Sequence, residues 1–333
     1  MAAPSPFVHV HFDSRRGANP VFHMTQTLCR EALSRRPDVA DRVRMTLGWD
    51  LEGADEALAS ADMFVGFRVP RDTVATRARN LKAIHLIGAG VEHLRPLDWI
   101  PPGVTITNNR GIHEHKAGEY ILLAVLMLNN RIPALVNAQA HRRWEPLFTT
   151  AVSGKTLLVL GAGNLGTAGA KALRKLGMHV IGMRRSARPA RYCHETHGPE
   201  ALHQLLPRAD FVLATLPSTR ETDGLIGARE FALMKPGAGF INFGRAKVCD
   251  YDALVRCLEQ GSLSGAVLDV FDPEPLPSSS PLWNVPNLLI TPHCSSDDAE
   301  RYIPMTLDLV FENVANLLAK RPLRNKVNLA REY

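Results

Sequence analysis

Three residues capable of acid–base and anion-binding chemistry each follow a run with strand character: Arg245 after 240–244, Glu274 after 268–273 and His293 after 290–292. Open α/β sheets place their ligands at the carboxyl ends of strands, so chemistry is expected at these positions. Imidazole exchanges its proton near neutral pH and can give one to an oxygen that is gaining charge. A neighbouring carboxylate favours the imidazolium and raises its pKa. A guanidinium binds a carboxylate through two parallel hydrogen bonds. For reduction of a carbonyl next to a carboxylate, the set can supply a proton donor and a cation for the acid group. The hydride must come from another group.

Directly after the apolar run 157–160 stand Gly161, Gly163 and Gly166 in GxGxxG spacing, with Asn164 and Leu165 between the last two and a helix-like segment, 168–176, following. The first glycine permits a tight turn, the second lets a pyrophosphate approach the backbone, and the third lets helix and strand pack closely. The helix N-terminus then faces the negative charge. This pattern predicts a dinucleotide site. At the end of the next strand an NAD site normally offers a carboxylate to the ribose 2′-hydroxyl. Here the residues are Gly182, Met183, Arg184, Arg185 and Ser186. Two guanidinium groups and a hydroxyl suit a 2′-phosphate, so NADP(H) is expected, with NAD(H) as the weaker alternative.

Positioning these groups takes two α/β series. In the first, short apolar runs at 8–10, 44–47, 63–65, 84–87 and 104–106 alternate with longer amphipathic segments, which predicts a parallel sheet covered by helices and ending near residue 112. The segment 114–139 is apolar on nearly every side and reads as one long buried helix. A second series at 155–160, 179–181, 211–213, 239–241, 265–268 and 288–290 predicts six strands. Residues 302–318 have helical periodicity.

Composition narrows the function. The 333 residues are 45% hydrophobic, enough for two domain cores. The net charge of +6 comes from dispersed basic residues with no nucleic-acid-binding motif, so a nucleic-acid partner is not expected. The longest apolar stretch, 120–128, is far below the roughly 20 residues of a membrane span. The N-terminus has no basic segment followed by an apolar one, so a cytoplasmic protein is expected. Five scattered cysteines lack any CxxC pair and read as reduced thiols. Cys193, His194 and His197 are too few to predict a metal site.

From 157 to 293 the sequence resembles the D-isomer-specific 2-hydroxyacid dehydrogenase family, which includes glyoxylate/hydroxypyruvate and phosphoglycerate enzymes. The resemblance rests on the glycine turn, on Leu216-Pro-Ser-Thr-Arg-Glu-Thr222, on Ile241-Asn-Phe-Gly-Arg245, on Leu268-Asp-Val-Phe-Asp-Pro-Glu-Pro275 and on Thr291-Pro-His293. It implies two doubly wound parallel-sheet α/β domains: a flavodoxin-like substrate domain, 1–112 plus 297–333, and a Rossmann dinucleotide-binding domain, 113–296. It implies that Arg245, Glu274 and His293 are catalytic, and that Leu216, Pro217, Thr222, Phe243, Gly244, Asp269 and Ser295 line the cofactor. Asp269 is expected near the nicotinamide carboxamide. The loop Gly88-Ala89-Gly90 resembles the family's substrate-carboxylate loop, and Phe67 and Arg68 are candidates for the substrate's distal end.

The expected activity is NADPH-preferring reduction of a glyoxylate- or hydroxypyruvate-type 2-oxo acid to the D-2-hydroxy acid, by a homodimer. The alternative is a corepressor-like, dinucleotide-sensing interaction protein with little turnover. Formate dehydrogenases, which share the fold, carry glutamine where Glu274 stands. Ala246 after Arg245, Glu92 in the glycine loop and Cys294 after the histidine depart from the family pattern.

Overall fold

The computed structural model describes residues 7–331. They divide into two compact units, one running to Ile112 and resuming at Asp298, the other His113–Asp297.

The first unit contains β1 (Val8–Ser14), α1 (Gln26–Ser34), β2 (Val43–Trp49), α2 (Ala54–Leu58), β3 (Met63–Gly66), α3 (Arg71–Thr76), β4 (Ala83–Leu86) and β5 (Thr105–Asn108). All strand pairs are parallel, in the order β2-β1-β3-β4-β5, the flavodoxin-like winding. Strand β1 is buried along its whole length, with side chains alternating between faces. Val8, Val10 and Phe12 join one apolar cluster, and His9, His11 and Asp13 alternate with them. Helix α1 starts where the Thr25 hydroxyl accepts from the Leu28 amide, and it buries Cys29 and Ala32.

The second unit comprises α4 (Glu114–Asn129), α5 (Ile132–Ala140), β6 (Thr156–Leu160), α6 (Asn164–Arg174), β7 (His179–Met183), β8 (Glu195–His197), α7 (Leu202–Leu205), β9 (Phe211–Ala214), α8 (Ala228–Leu233), β10 (Gly239–Asn242), α9 (Tyr251–Glu259), β11 (Gly265–Leu268) and β12 (Leu288–Ile290). Its seven parallel strands run β8-β7-β6-β9-β10-β11-β12, the Rossmann order with one strand added. Leu157 and Val159 of β6 pack with α4 and α6, while Leu158 and Leu160 join the cluster on the other face with α7, α8 and α9. The last helix, α10 (Tyr302–Leu318), belongs to the first unit and packs against α1.

Two expectations need correction. The segment 114–139 is not one helix: α4 and α5 meet at a 64° bend. Arg131 sits there at φ +55°, and Pro133 follows two residues later. Proline has no N–H to donate and its ring clashes with the carbonyl four residues back, so the helix stops and restarts. The second sheet has seven strands, not six. The missed strand, β8, is three half-exposed residues without an apolar run, and its pairing to β7 alone defines it. No single helix among the described residues is long and apolar enough to cross a membrane.

Candidate active site

Strands β10, β11 and β12 are neighbours, and their registers align Asn242 with Leu268 and Leu268 with Ile290. The three loops carrying Arg245, Glu274 and His293 therefore leave the sheet at one level. His293 Nδ1 lies 2.8 Å from Glu274 Oε2. The other carboxylate oxygen, Oε1, accepts the Phe271 amide at 2.8 Å, which fixes the side chain against its own loop.

The His293 pKa is raised: the hydrogen bond to Glu274 outweighs burial, and Arg245 pulls weakly the other way. Burial pushes the Glu274 pKa up, but the bonds from His293 and the Phe271 amide prevail and leave it below the ordinary value. An ionised acceptor requires Nδ1 to carry the proton, so Nε2 is the atom left for a substrate.

His293 also stands at φ +50°, in the left-handed region that costs a side-chain-bearing residue energy. Asp269 holds it there. One carboxylate oxygen accepts from the Thr291 hydroxyl at 2.6 Å and the Cys294 amide at 3.1 Å, and the other from the Ser295 hydroxyl at 2.6 Å. These bonds clamp the chain on both sides of the histidine. Asp269 is buried, which pushes its pKa up, while the Ser295 and Thr291 bonds oppose the rise. Sequence reasoning placed Asp269 and Ser295 by the cofactor and did not assign them this clamp.

Two residues were missed outright. Asn242, buried at the end of β10, accepts the Gly244 amide at 3.1 Å and donates to the Arg245 carbonyl at 3.1 Å. It also donates to the Tyr251 hydroxyl, which donates in turn to the Val270 carbonyl at 2.7 Å. This network ties the arginine turn to the β11 loop. The available signal was a polar residue, Asn242, inside an otherwise apolar strand.

The glycine turn has the shape the spacing predicts. Gly161 has φ +96°, and a Cβ there would come within 3.1 Å of the Leu216 amide nitrogen. A Cβ at Gly166 would sit 2.5 Å from the Gly161 carbonyl, whereas at Gly163 it would meet nothing nearer than 4.0 Å. The middle glycine thus leaves open space in front of the first amides of α6, which lack intrahelical acceptors. Asn164 reaches back to Glu114, and Leu165 is half-buried. Gly244 lets Leu216 approach, because a Cβ would lie 2.6 Å from its carbonyl. Thr222 donates to the Pro217 carbonyl at 2.6 Å, and Phe243 is buried against Tyr120. These features fit a dinucleotide diphosphate.

After β7, the Arg184 amide donates to the His197 carbonyl of β8, and Arg185 and Ser186 are exposed in the following turn. His197 and His179 both bond Glu195, and His194 accepts the Val180 amide.

In the first unit, the Gly88 carbonyl accepts the Asn109 amide and the Ala89 carbonyl accepts from the Asn108 side chain at 2.6 Å. A trans peptide sets each following N–H opposite its carbonyl, so the amides of Ala89 and Gly90 point away from these partners. Phe67 stacks on His93 with ring centroids 4.7 Å apart, and Arg68 pairs with Asp50 at 3.1 Å. Arg68 is thus already engaged by a carboxylate.

The family described as "D-isomer specific 2-hydroxyacid dehydrogenase, NAD binding domain" matches residues 122–295. This chain belongs to the D-isomer-specific 2-hydroxyacid dehydrogenases. It is similar to glyoxylate/hydroxypyruvate reductase A of Serratia proteamaculans, 33% identical over 71% of this chain and 77% of that one. A D-isomer specific 2-hydroxyacid dehydrogenase from Xanthobacter autotrophicus, solved with NADPH and MES, superposes with a TM-score of 0.82 at 30% identity, covering 98% and 99% of the chains. An NADPH-dependent glyoxylate/hydroxypyruvate reductase from Sinorhizobium meliloti, solved with NADP and sulfate, gives 0.82 at 26% identity, covering 98% and 100%. As a member of this dehydrogenase family the protein is an oxidoreductase using a nicotinamide dinucleotide, and its second unit is the family's NAD-binding domain.

Proposed function

We propose that this dehydrogenase reduces a small 2-oxo acid of the glyoxylate or hydroxypyruvate type to the D-2-hydroxy acid and prefers NADPH to NADH. The observation that carries the reading is the 2.8 Å His293–Glu274 pair, with Arg245 on the adjoining loop. The nicotinamide supplies a hydride when bound. Arg245 binds the substrate carboxylate and polarises the neighbouring carbonyl. His293 gives its Nε2 proton to the carbonyl oxygen as that oxygen gains charge, and becomes neutral. Glu274 keeps its charge throughout and holds the ring through Nδ1. The partly exposed imidazole then recovers a proton from solvent. In the oxidative direction neutral His293 takes the hydroxyl proton. The amides of Ala89 and Gly90 are assigned to the substrate carboxylate as well.

Arg184, Arg185 and Ser186 support the NADPH preference, as do the NADP-bound relatives. We further propose that the protein is a cytoplasmic homodimer, the assembly its family resemblance implies. Leu123 of α4, Val136 of α5, and Trp144 and Phe148 beyond it present apolar side chains to solvent, and a second copy would cover them.

The test is initial-rate oxidation of NADPH and NADH with glyoxylate, hydroxypyruvate, pyruvate and phenylpyruvate. Turnover with glyoxylate or hydroxypyruvate, faster with NADPH, is the expected result. Tight dinucleotide binding without reduction of any of these acids overturns the reading and favours a sensing protein. Replacing Arg184→Ala and Arg185→Ala together should weaken NADPH far more than NADH, and equal losses would remove the 2′-phosphate assignment.

A further inference from the structure

The sequence around the end of β7 offers no carboxylate, yet the fold brings one there. Glu221, in the turn after β9, accepts a hydrogen bond from Arg185 Nη2. Strand order places β6 between β7 and β9, so the ion pair joins the loops on either side of the glycine turn. Both turns are built. The Thr222 hydroxyl donates to the Pro217 carbonyl at 2.6 Å and accepts the Thr219 amide at 2.9 Å, which fixes the backbone beside Glu221. The Arg184 amide is held by His197, and the Ala187 amide donates to the Arg184 carbonyl at 3.1 Å, which fixes the turn carrying Arg185.

The two side chains favour different cofactors. A carboxylate accepts from a ribose 2′-hydroxyl, as in NAD sites. A 2′-phosphate carries close to two negative charges near neutral pH. It needs the guanidinium groups and is repelled by a carboxylate among them. We infer that Glu221 determines cofactor specificity by competing with the 2′-phosphate for Arg185, holding the NADPH preference below what Arg184 and Arg185 alone would give. The inference rests on the reading of Arg184–Ser186 as the 2′-phosphate site. It adds that the site carries its own competing carboxylate.

Glu221→Gln removes the charge and keeps the shape. Fluorescence titration of the full chain with NADPH, NADH, 2′,5′-ADP and ADP reads binding without turnover. An exposed ion pair is weak, so the expected gain is about two- to tenfold for NADPH and 2′,5′-ADP, with NADH and ADP unchanged or weaker. In an Arg185→Ala background the gain should shrink, because the competition for Arg185 is gone and only the repulsion of the 2′-phosphate remains to be relieved. No tightening of the phosphate-bearing ligands, equal tightening of all four, or a gain undiminished without Arg185 each overturns the inference. The underlying reading fails separately: it falls when the arginine double variant leaves the NADPH-to-NADH affinity ratio of the unmodified protein unchanged.

Discussion

His293 owes its readiness as an acid to one contact. Its pKa is raised chiefly by the Glu274 hydrogen bond, so the protonated form persists to higher pH than in a free imidazole. Reduction needs that proton, so the rate should hold at low pH and fall as pH rises through the raised value. His293→Gln should cut kcat by on the order of a hundredfold or more and leave dinucleotide affinity nearly unchanged. Near-normal turnover would eliminate His293 as the donor. Glu274→Gln should move the falling limb of the pH–rate profile to lower pH, because the contact that chiefly raises the His293 pKa is lost. Both residues were legible as candidates because each follows a strand whose apolar run is readable, and their pairing was implied by the family resemblance. Their geometry also depends on Asp269, which sequence patterns placed at a strand end without saying what it holds.

At the scale of the elements, β1 and β4 carry histidines into the core of the first unit. Burial drives the pKa of His11 down to about 4, and the nearby His9 adds to the effect. His85 is likewise lowered to about 4 by burial, against a hydrogen bond with Asn109. Both folded values lie below the unfolded value near 6.5, so the unfolded chain takes up protons first. The stability they contribute is complete above that pH and drains away as pH falls toward 4. Between pH 7 and pH 5 the loss should reach about 2 kcal/mol for each histidine. Urea denaturation at the two pH values measures it, and His85→Gln should flatten its share of the dependence. An equal midpoint at both pH values would contradict the buried-histidine account. The pattern of β1 was visible as an apolar run. That its polar residues are also buried follows from its central place in the sheet.

The exposed apolar residues bear on the whole molecule. Trp144 is 97% and Phe148 95% exposed, far beyond what an isolated surface aromatic explains. In the homodimer reading they meet a second copy. Light scattering should give twice the chain mass for the unmodified protein, and Trp144→Ala with Phe148→Ala should shift it toward one. A monomeric unmodified protein would refute the homodimer.

Local chemistry and periodicity can be read from the chain alone. GxGxxG between a strand and a helix, the apolar runs, and the order Arg245, Glu274, His293 all depend on residues near one another in the chain, and the structure carries them through. Tertiary structure decided what depends on pairing between distant segments. The edge strand β8 exists because β7 lies beside it, the bend at Arg131 replaces one long helix with two, and Asp269 clamps a loop some two dozen residues away. Glu221 reaches Arg185 across 36 residues of sequence. Such contacts follow from strand order and register, which hydrophobic periodicity does not encode, because one pattern of apolar runs is compatible with several windings of the sheet.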